Sequence, residues 1–168
     1  MGDPDWTRRP AKTEIIQAPY GDGMQVVRDG NRWMLRLTEG EDLFRELEGF
    51  ASAQAIRAAA IVSGIGMLRE ATVGFWDGRT YNPKTMPGGM ELVGLHGSIA
   101  IVDGKPSVHL HAALGGPSHA LEGGHLLRAV VGVVGEVFIE SFPGKTFGRP
   151  LVESVGLRVL DLEPAPNP

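Results

Sequence analysis

The sequence predicts a single domain of the α/β class, α+β type, in which strands joined by tight turns outnumber helices. A chain of 168 residues is long enough for one complete hydrophobic core and too short for two. It contains 24 glycines and 12 prolines, which is typical of many tight turns rather than of a helical bundle. Alternating apolar and polar runs separated by Asp-Gly pairs indicate hairpins, and one segment shows clear helical periodicity.

The composition excludes several kinds of site. Because the chain has no cysteine, disulfides and thiolate metal sites are ruled out, and histidine, carboxylates, the backbone and water remain as metal ligands. The formal net charge is -4, so no overall positive field attracts the chain to phosphate. No apolar stretch approaches the roughly 18 residues of a membrane span, and the start, MGDPDWTRRPAK, lacks the apolar centre of a signal peptide. We therefore expect no membrane association and a cytoplasmic location.

The chain divides into an arm, a domain and a tail. Residues 1–22 are polar and proline-rich, and they predict a flexible N-terminal arm with a cationic run at Arg8, Arg9 and Lys12. Residues 23–162 predict the folded domain. Residues 163–168, which include PAPNP, predict a disordered tail.

A strand pair and the main helix come first in the domain. MQVVRDGNRWMLRL, residues 24–37, predicts two strands that turn at Asp29-Gly30-Asn31. In GEDLFRELEGFASAQAI, apolar residues recur at the i, i+3, i+4 spacing of one helical face, which predicts the best helix of the two expected. Glu41 and Asp42 are expected in its first turn, where they complement the positive end of the helix dipole.

Glycines interrupt the next apolar segment, AAAIVSGIGMLREATVGFWDGRTY. Gly64 and Gly66 predict a tight turn between two strands, and Asp77-Gly78 predicts a hairpin. A nucleotide-phosphate loop is not expected, because Arg69 stands where Gly-x-Gly-x-x-Gly requires its third glycine. Farther on, HLLRAVVGVVGEVFIESF predicts a long strand and LVESVGLRVLDLE a last strand.

A central hairpin is the most specific local prediction. MELVGLHGSIAIV and KPSVHLHAAL are alternating runs joined by Asp103-Gly104, a strong hairpin signal. If these two residues form the turn, Val102 lies opposite Lys105, although a bulge at Pro106 would shift the register. The same register predicts three further cross-strand pairs: Ala100 with Ser107, Ser98 with His109, and His96 with His111.

The predicted register separates the hairpin into two faces. Cross-strand partners share a face, so one surface would carry His96, His109 and His111. The opposite face would carry the apolar residues and supply a core layer on its own: Val108, Leu110, Ala112, Val93, Leu95 and Ile99. The histidine face is therefore not needed for the core.

The histidines are the residues through which this hairpin could act. His109 and His111 point to the same side of a strand, and His125, after Gly123-Gly124, could fold back over them. His119 lies in the loop GGPSHALEGG. Two interpretations remain open: ordinary surface or hydrogen-bonded histidines, or a metal site. Three imidazoles with an open position would suit zinc, iron, nickel or cobalt and would polarise water, with Glu122 as a possible fourth ligand or general base.

Several motifs together resemble one family. LRLTEGEDL, IVSGIGML, GGMELVGLHGSIAIVDGKPSVHLHAAL and GGHLLRAVVGVVGEVFIE, between about Trp33 and Glu140, resemble the plants-and-prokaryotes-conserved domain (PPC domain), which in plants follows AT-hook motifs. DGKPSVHLH followed by GGHLL is the most diagnostic pair. GGMELVGL stands where plant members have GRFEILSL, with Glu91 kept and with Gly89 and Met90 in place of arginine and phenylalanine.

The resemblance implies a compact domain with a largely antiparallel sheet and a helix packed on it, assembling as a homotrimer. It implies that prokaryotic members stand alone and are commonly labelled DNA-binding. The histidine positions of the family map onto His109, His111 and His125, which implies a divalent metal site, with zinc expected first. Plant members lack this trio, and His96 is not a family histidine.

Three functions follow as hypotheses. The first is a homotrimeric interaction module of a transcription-associated family, with a structural or regulatory metal and a protein partner. The second is a metal-dependent enzyme, of hydrolase or lyase type, in which Glu122 or Glu91 handles a proton at a small-molecule substrate. The third is direct nucleic-acid binding through the cationic arm.

Direct DNA binding is not the favoured hypothesis. An AT hook needs an Arg-Gly-Arg-Pro core to enter the minor groove. FGRP at residues 147–150 lacks the first arginine, and TRRP at residues 7–10 lacks the glycine. Together with the acidic pI, this argues that any nucleic-acid contact is weak.

Overall fold

The structure, a computed structural model, describes residues 14–17 and 23–163. Those residues form one helix and ten strands: β1 (Glu14–Gln17), β2 (Gln25–Asp29), β3 (Arg32–Thr38), α1 (Leu43–Ala53), β4 (Ala59–Trp76), β5 (Tyr81–Thr85), β6 (Met90–Val102), β7 (Lys105–Gly115), β8 (Leu121–Ser141), β9 (Leu151–Val152) and β10 (Leu157–Arg158). β1 lies within the predicted arm and pairs with β2. The cationic residues Arg8, Arg9 and Lys12 and residues 164–168 of the predicted tail lie outside the described residues.

Eight strands form one sheet in the order β1-β2-β3-β8-β7-β6-β4-β5. Because β8 also pairs with β4, the strands β4, β6, β7 and β8 close into a ring. β8 has 21 residues. One of its edges pairs with β7 at residues 121–125 and with β3 at residues 134–140, and the other edge pairs with β4 between residues 125 and 141. Every pairing between the named strands is antiparallel, which confirms the mostly antiparallel sheet expected from the sequence.

The predicted main helix is α1, and it contacts β7 and β8. Asp42 is its N-cap and accepts a hydrogen bond from the backbone N–H of Arg45, which satisfies one free donor of the first turn. Glu41, expected in that turn, instead accepts from the backbone N–H groups of Met24 and Thr38. The apolar face predicted from the spacing is buried at Leu43, Leu47, Phe50 and Ala51.

The expectation of a second helix is wrong for the described part of the chain, where α1 is the one helix. The segments on either side form strands and turns, because they are rich in glycine and β-branched residues. No helix within residues 14–17 and 23–163 combines the length and apolar character that a membrane crossing requires.

The predicted glycine turn in β4 is also wrong. Gly64 and Gly66 lie inside one continuous strand, and they allow close approach of other strands. A Cβ on Gly66, whose φ is +139°, would lie 2.1 Å from the carbonyl oxygen of Val134 on β8. A Cβ on Gly64 would lie 2.9 Å from that of Leu95 on β6. These glycines therefore serve packing and bulges instead of a reversal of the chain.

The hairpin of β6 and β7 has the predicted register. The cross-strand pairs are those expected from the Asp103-Gly104 turn: Val102 with Lys105, Ala100 with Ser107, Ser98 with His109, and His96 with His111. Pro106 pairs with Ile101 without a shift. The predicted apolar face is buried at Leu95, Ile99, Val108, Leu110 and Ala112.

One core residue of that hairpin was predicted wrongly. The register shifts between Leu92 and Gly94, so alternation reverses at the bulge between them. Val93 is consequently 51% exposed, and Leu92 takes the buried position at 3%.

The predicted last strand is instead a small hairpin of β9 and β10, which forms a separate two-stranded sheet. Gly156, with φ +68°, lies in its turn. Just before it, Gly148 bridges to Ile101 of the main sheet and to Asp161. This docking brings the C-terminal segment against the edge of the β6–β7 hairpin, beside the histidines.

Candidate metal centre

The histidines predicted from the sequence meet where β7, β8 and β4 come together. His111 on β7 is the cross-strand partner of His125 on β8, and His125 also pairs with Gly74 of β4. His109 lies two positions before His111 on the same strand, so the side chains of both emerge on one face. His125 therefore joins the pair by direct strand pairing rather than through a loop that folds back.

Two glycines before His125 allow β8 to approach both of its neighbours. A Cβ on Gly123 would lie 2.2 Å from the carbonyl oxygen of Ala112 on β7. Gly124 has φ +150°, and a Cβ there would lie 2.9 Å from the carbonyl oxygen of Gly74 on β4. A side chain at either position would force strands apart, so this glycine pair fixes where His125 stands.

The three imidazoles form one cluster. Nε2 of His109 lies 3.0 Å from Nδ1 of His125. The ring centroids are 5.2 Å apart for His109 and His111, 4.7 Å for His109 and His125, and 5.3 Å for His111 and His125. One nitrogen of each ring lies within 4.8 Å of the other two. Since His111 is exposed and the other two rings are half-buried, the cluster is accessible from solvent.

The donor set suits a transition metal ion of borderline softness. Tetrahedral zinc with Zn–N bonds of about 2.0–2.1 Å separates its ligand nitrogens by roughly 3.3–3.4 Å. The three ligand nitrogens lie within 4.8 Å of one another, so they would have to approach by up to about 1.5 Å to reach that spacing. Three imidazoles with no fourth protein ligand among the described residues resemble the open type of zinc site rather than the closed structural type.

The predicted carboxylates do not join the cluster. Glu122, expected as a fourth ligand or base, forms an ion pair with Lys84. Glu91 is exposed and pairs through its backbone with Gly115. Within the described part of the chain, the metal-competent group contains the three histidines and no acidic residue.

His96 pairs with His111 as predicted, but its side chain does not join the histidine cluster. Its Nδ1 donates to the carbonyl oxygen of Val62 at 2.8 Å. Val62 falls at a register shift between Ile61 and Ser63 and has no cross-strand partner there, so its carbonyl accepts a side-chain donor instead. His119 lies in an exposed turn with φ +62°, outside the cluster as expected.

Sequence reasoning missed Arg149, which contacts the cluster from the C-terminal segment. Its side chain is buried, with Nη1 2.8 Å from Nδ1 of His109 and Nη2 bonded to Oγ of Ser98 at 2.5 Å. Its Nε is buried and has no hydrogen-bond partner in the part of the chain that the structure describes. Among the ion pairs of residues 23–163, none involves Arg149. The GRP motif drew attention to this arginine only as a failed AT hook, and no local signal connects it with His109.

Burial and the positive charge of Arg149 favour the neutral form of His109 and His125. Burial first, and then Arg149 and the two other histidines, lower the pKa of His109 to about 4. Burial, with His111 and Arg149, also lowers the pKa of His125. Both imidazoles are therefore unprotonated near neutral pH, which is the form that ligates metals.

The hydrogen bonds assign the tautomer of His109. An arginine can only donate, so Nδ1 of His109 accepts from Arg149, and the ring proton lies on Nε2, which donates to His125. Ligation of a metal through Nε2 of the neutral ring requires the proton at Nδ1 instead. A metal ion in the cluster is therefore compatible only with an Arg149 that has moved away from Nδ1 of His109.

A pocket of about 500 Å³ opens beside the cluster. His109, His125 and Arg149 line it together with apolar residues of the C-terminal segment, among them Leu157, Val159 and Leu160. Tyr81 also lines the pocket and stacks on the His125 ring at 4.6 Å and 21°, which holds the plane of that imidazole. The arrangement can hold a metal ion at the edge of a cavity large enough for a small organic molecule.

Residues 24–143 match the model of the Plants and Prokaryotes Conserved (PCC) domain, the family also abbreviated PPC. The matched residues contain the whole β6–β7 hairpin and the histidine cluster, and they end before Arg149.

Three solved structures share the fold. A candidate DNA-binding protein of Bacteroides thetaiotaomicron is 26% identical, with a TM-score of 0.77 over 83% of this chain and 97% of that one. The PPC protein of Pyrococcus horikoshii is 28% identical, with a TM-score of 0.74 over 86% and 98%. A metal-containing protein of Archaeoglobus fulgidus is 31% identical, with a TM-score of 0.72 over 90% and 98%.

Two curated relatives are much longer proteins. The bifunctional protein GlmU of two Synechococcus strains is 37% identical over 55% of this chain and 30% identical over 77% of it. The chain spans 14% and 20% of the lengths of these relatives, so the similarity concerns one part of each.

Proposed function

The chain belongs to the Plants and Prokaryotes Conserved domain family, and from that premise we propose that it is a metal-binding member in which His109, His111 and His125 hold one divalent transition metal ion, zinc first. One observation carries the proposal: three imidazoles from two paired strands have ligand nitrogens within 4.8 Å of one another. The name of the Archaeoglobus fulgidus neighbour, a metal-containing protein, agrees with it.

The residues around the site have separable tasks. When bound, a zinc ion with an open position polarises water or a carbonyl oxygen. His109 and His125 face the pocket, so they would present the open position to its contents. Tyr81 orients His125 by stacking, and the backbone pairing of His111 with His125 sets the distance between those two ligands.

Metal analysis of purified variants tests the proposal. We expect about one equivalent of metal per chain in the unaltered protein and in His119→Gln, which removes a histidine outside the cluster. The double substitution His109→Asn with His111→Asn should lose the metal and lower the unfolding temperature. Equal metal content in the double variant and in His119→Gln would refute the site.

We also propose that the protein is a homotrimer, as its family resemblance implies. Support comes from an apolar patch, because Val93 and Leu121, 51% and 61% exposed, both lie within 4 Å of a Cβ placed on Gly115. Native mass spectrometry should show trimers, which Val93→Glu disrupts. Met34→Glu is the matched control, since Met34 is 46% exposed on β3. A monomeric unaltered protein would refute the assembly.

A metal-dependent enzyme of hydrolase or lyase type is the second candidate, and the pocket at the cluster is the observation that favours it. Because no carboxylate joins the histidines in the described residues, Glu122 and Glu91 are poor candidates for the base. Turnover of a panel of small esters and amides, lost in the double histidine variant and kept in His119→Gln, would support this activity. Equal rates in both variants would exclude it for that panel.

Direct DNA binding is suggested by the name of the Bacteroides thetaiotaomicron neighbour, and for this chain we propose that such binding is weak. The support is the net charge of -4 and the lack of a complete AT-hook core. A mobility shift that persists at physiological salt would contradict this proposal. The expected location remains the cytoplasm, and a protein partner for the trimer remains an expectation.

A further inference from the structure

We propose that the pocket beside the histidine cluster binds a small organic acid through its carboxylate, with Arg149 holding the carboxylate and the C-terminal segment covering an apolar tail. This names a ligand class for the proposed metal site. It rests on the proposed function in one respect, since ligation of a metal by His109 frees one donor of Arg149.

The charge balance of the pocket calls for an anion. Arg149 is 7% exposed and forms no ion pair with the described residues, although a buried unpaired charge is costly. The pocket is lined by two arginines and by no acidic residue. The second, Arg158, already has Asp103 at 3.5 Å, so Arg149 is the lining cation that lacks a counter-charge within residues 14–17 and 23–163.

The free donors of Arg149 are enough for a carboxylate. Among the described residues, Nε has no partner, and Nη2 uses one of its two N–H groups on Ser98. Nη1 contacts Nδ1 of His109, and that contact is the one a bound metal removes. Of the five N–H groups of the guanidinium, three have no partner in the described residues even while that contact persists, and a carboxylate needs two. A phosphate dianion would need a second uncompensated cation.

The rest of the lining favours an apolar tail. Val108 and Leu157 line the pocket together with Val159 and Leu160, which are 45% and 37% exposed. A ligand that covered the last two would remove apolar surface from water. The volume of about 500 Å³ lies within the range of roughly 300–1,000 Å³ that small-molecule sites occupy.

Calorimetric titration of the unaltered protein with hexanoate and with hexanamide tests the ligand class without any substitution. The two probes have the same tail, and only hexanoate carries the charge. We expect hexanoate to bind at least tenfold more tightly, because a charge-assisted hydrogen bond to a buried arginine is lost in the amide. Equal affinities, or no binding of either probe, would overturn the proposal. Displacement of hexanoate by equimolar inorganic phosphate would overturn the carboxylate assignment.

Variants locate the interaction. Arg149→Gln should lose the preference for hexanoate, whereas Arg36→Gln, a change of an exposed arginine on β3 outside the pocket, should keep it. Since Arg149 is buried and its variant could unfold, Leu160→Asp provides a second test, with Leu160→Asn as its uncharged control for the lost apolar contact. Relative to Leu160→Asn, Leu160→Asp should weaken hexanoate at least tenfold and change hexanamide little. Hexanoate binding that is insensitive to both Arg149→Gln and Leu160→Asp would place the acid elsewhere.

Metal content is measured on the same samples, which separates this proposal from the proposed function. Selective hexanoate binding in protein without metal would contradict the metal site and support the acid pocket. Metal retention without selective hexanoate binding would support the metal site and contradict the acid pocket.

Discussion

Gly123→Ala tests whether close approach of two strands positions the metal centre. Gly123 on β8 pairs with Ala113 on β7, and an added Cβ would lie 2.2 Å from the carbonyl oxygen of Ala112. That oxygen is backbone, so no rotamer change can relieve the overlap. β8 must move away from β7 by about 1 Å to reach an ordinary contact distance, and His125 is only two residues farther along.

The expected destabilisation follows from this geometry. Overpacking in a close-packed interior costs about 1–3 kcal/mol, and an overlap with rigid backbone belongs at the upper end. The β7–β8 ladder from Leu121 to His125 loses alignment as well. About 3 kcal/mol corresponds to a fall of roughly 6–12 °C in Tm for a domain of this size. Displacement of His125 should weaken metal binding by at least about tenfold, as loss of a supporting contact commonly does.

Thermal unfolding and metal titration of Gly123→Ala measure both effects, and Gly94→Ala is the matched control. Gly94 lies in the β6–β7 hairpin, where an added Cβ would meet only Nε2 of His96, at 3.8 Å. The control should stay within about 0.5 kcal/mol of the unaltered protein. If Gly123→Ala unfolded at the temperature of the control and bound metal equally well, the close approach would have no part in building the site.

Three further outcomes are expected. The pKa of His109 is lowered to about 4 in the folded state, so below about pH 6.5 the unfolded state binds protons more readily than the folded state. Metal-free protein should therefore be most stable above about pH 6.5 and lose stability as the pH falls toward 4. Denaturant unfolding across this range should show the loss of stability, and His109→Gln should reduce that loss. Asp42→Ala should cost about 1 kcal/mol through loss of the α1 N-cap, whereas Ser52→Ala, at an exposed position of the helix, serves as its comparison, and equal stabilities in chemical unfolding would contradict the cap. Arg149→Met should bind zinc more tightly than the unaltered protein in competition with a chelator, because it removes the donor that keeps the proton off Nδ1 of His109. Weaker zinc binding would show that Arg149 instead supports His109 as a metal ligand.

Local signals predicted the parts of the fold that depend on a few neighbouring residues. Asp103-Gly104 determined the register of the β6–β7 hairpin down to the pairing of His96 with His111, because a two-residue turn aligns both strands. The spacing of apolar residues also located α1, because the helical repeat can be recognised within a few turns of chain. The predictions failed where a glycine can serve two purposes. Gly66 looks like a turn signal in the sequence, but in the sheet it allows close packing of strands.

The candidate site divides along the same line. Period-two alternation alone puts His109 and His111 on one face, and the family resemblance adds His125. The predicted register of His96 is correct, but its ring does not join His109 and His111, because it is hydrogen-bonded to the backbone carbonyl oxygen of Val62.

By itself, the sequence determined a single strand-rich domain, its central hairpin and the face that carries two of the three clustered histidines, because each of these depends on geometry repeated over a few residues. The tertiary structure decided which groups surround them. Arg149, 40 residues from His109, reaches the cluster only because Gly148 docks the C-terminal segment on β6, and the pocket between them exists only in the folded chain. Contacts between distant segments depend on how whole elements pack, and no local pattern in the chain records that arrangement.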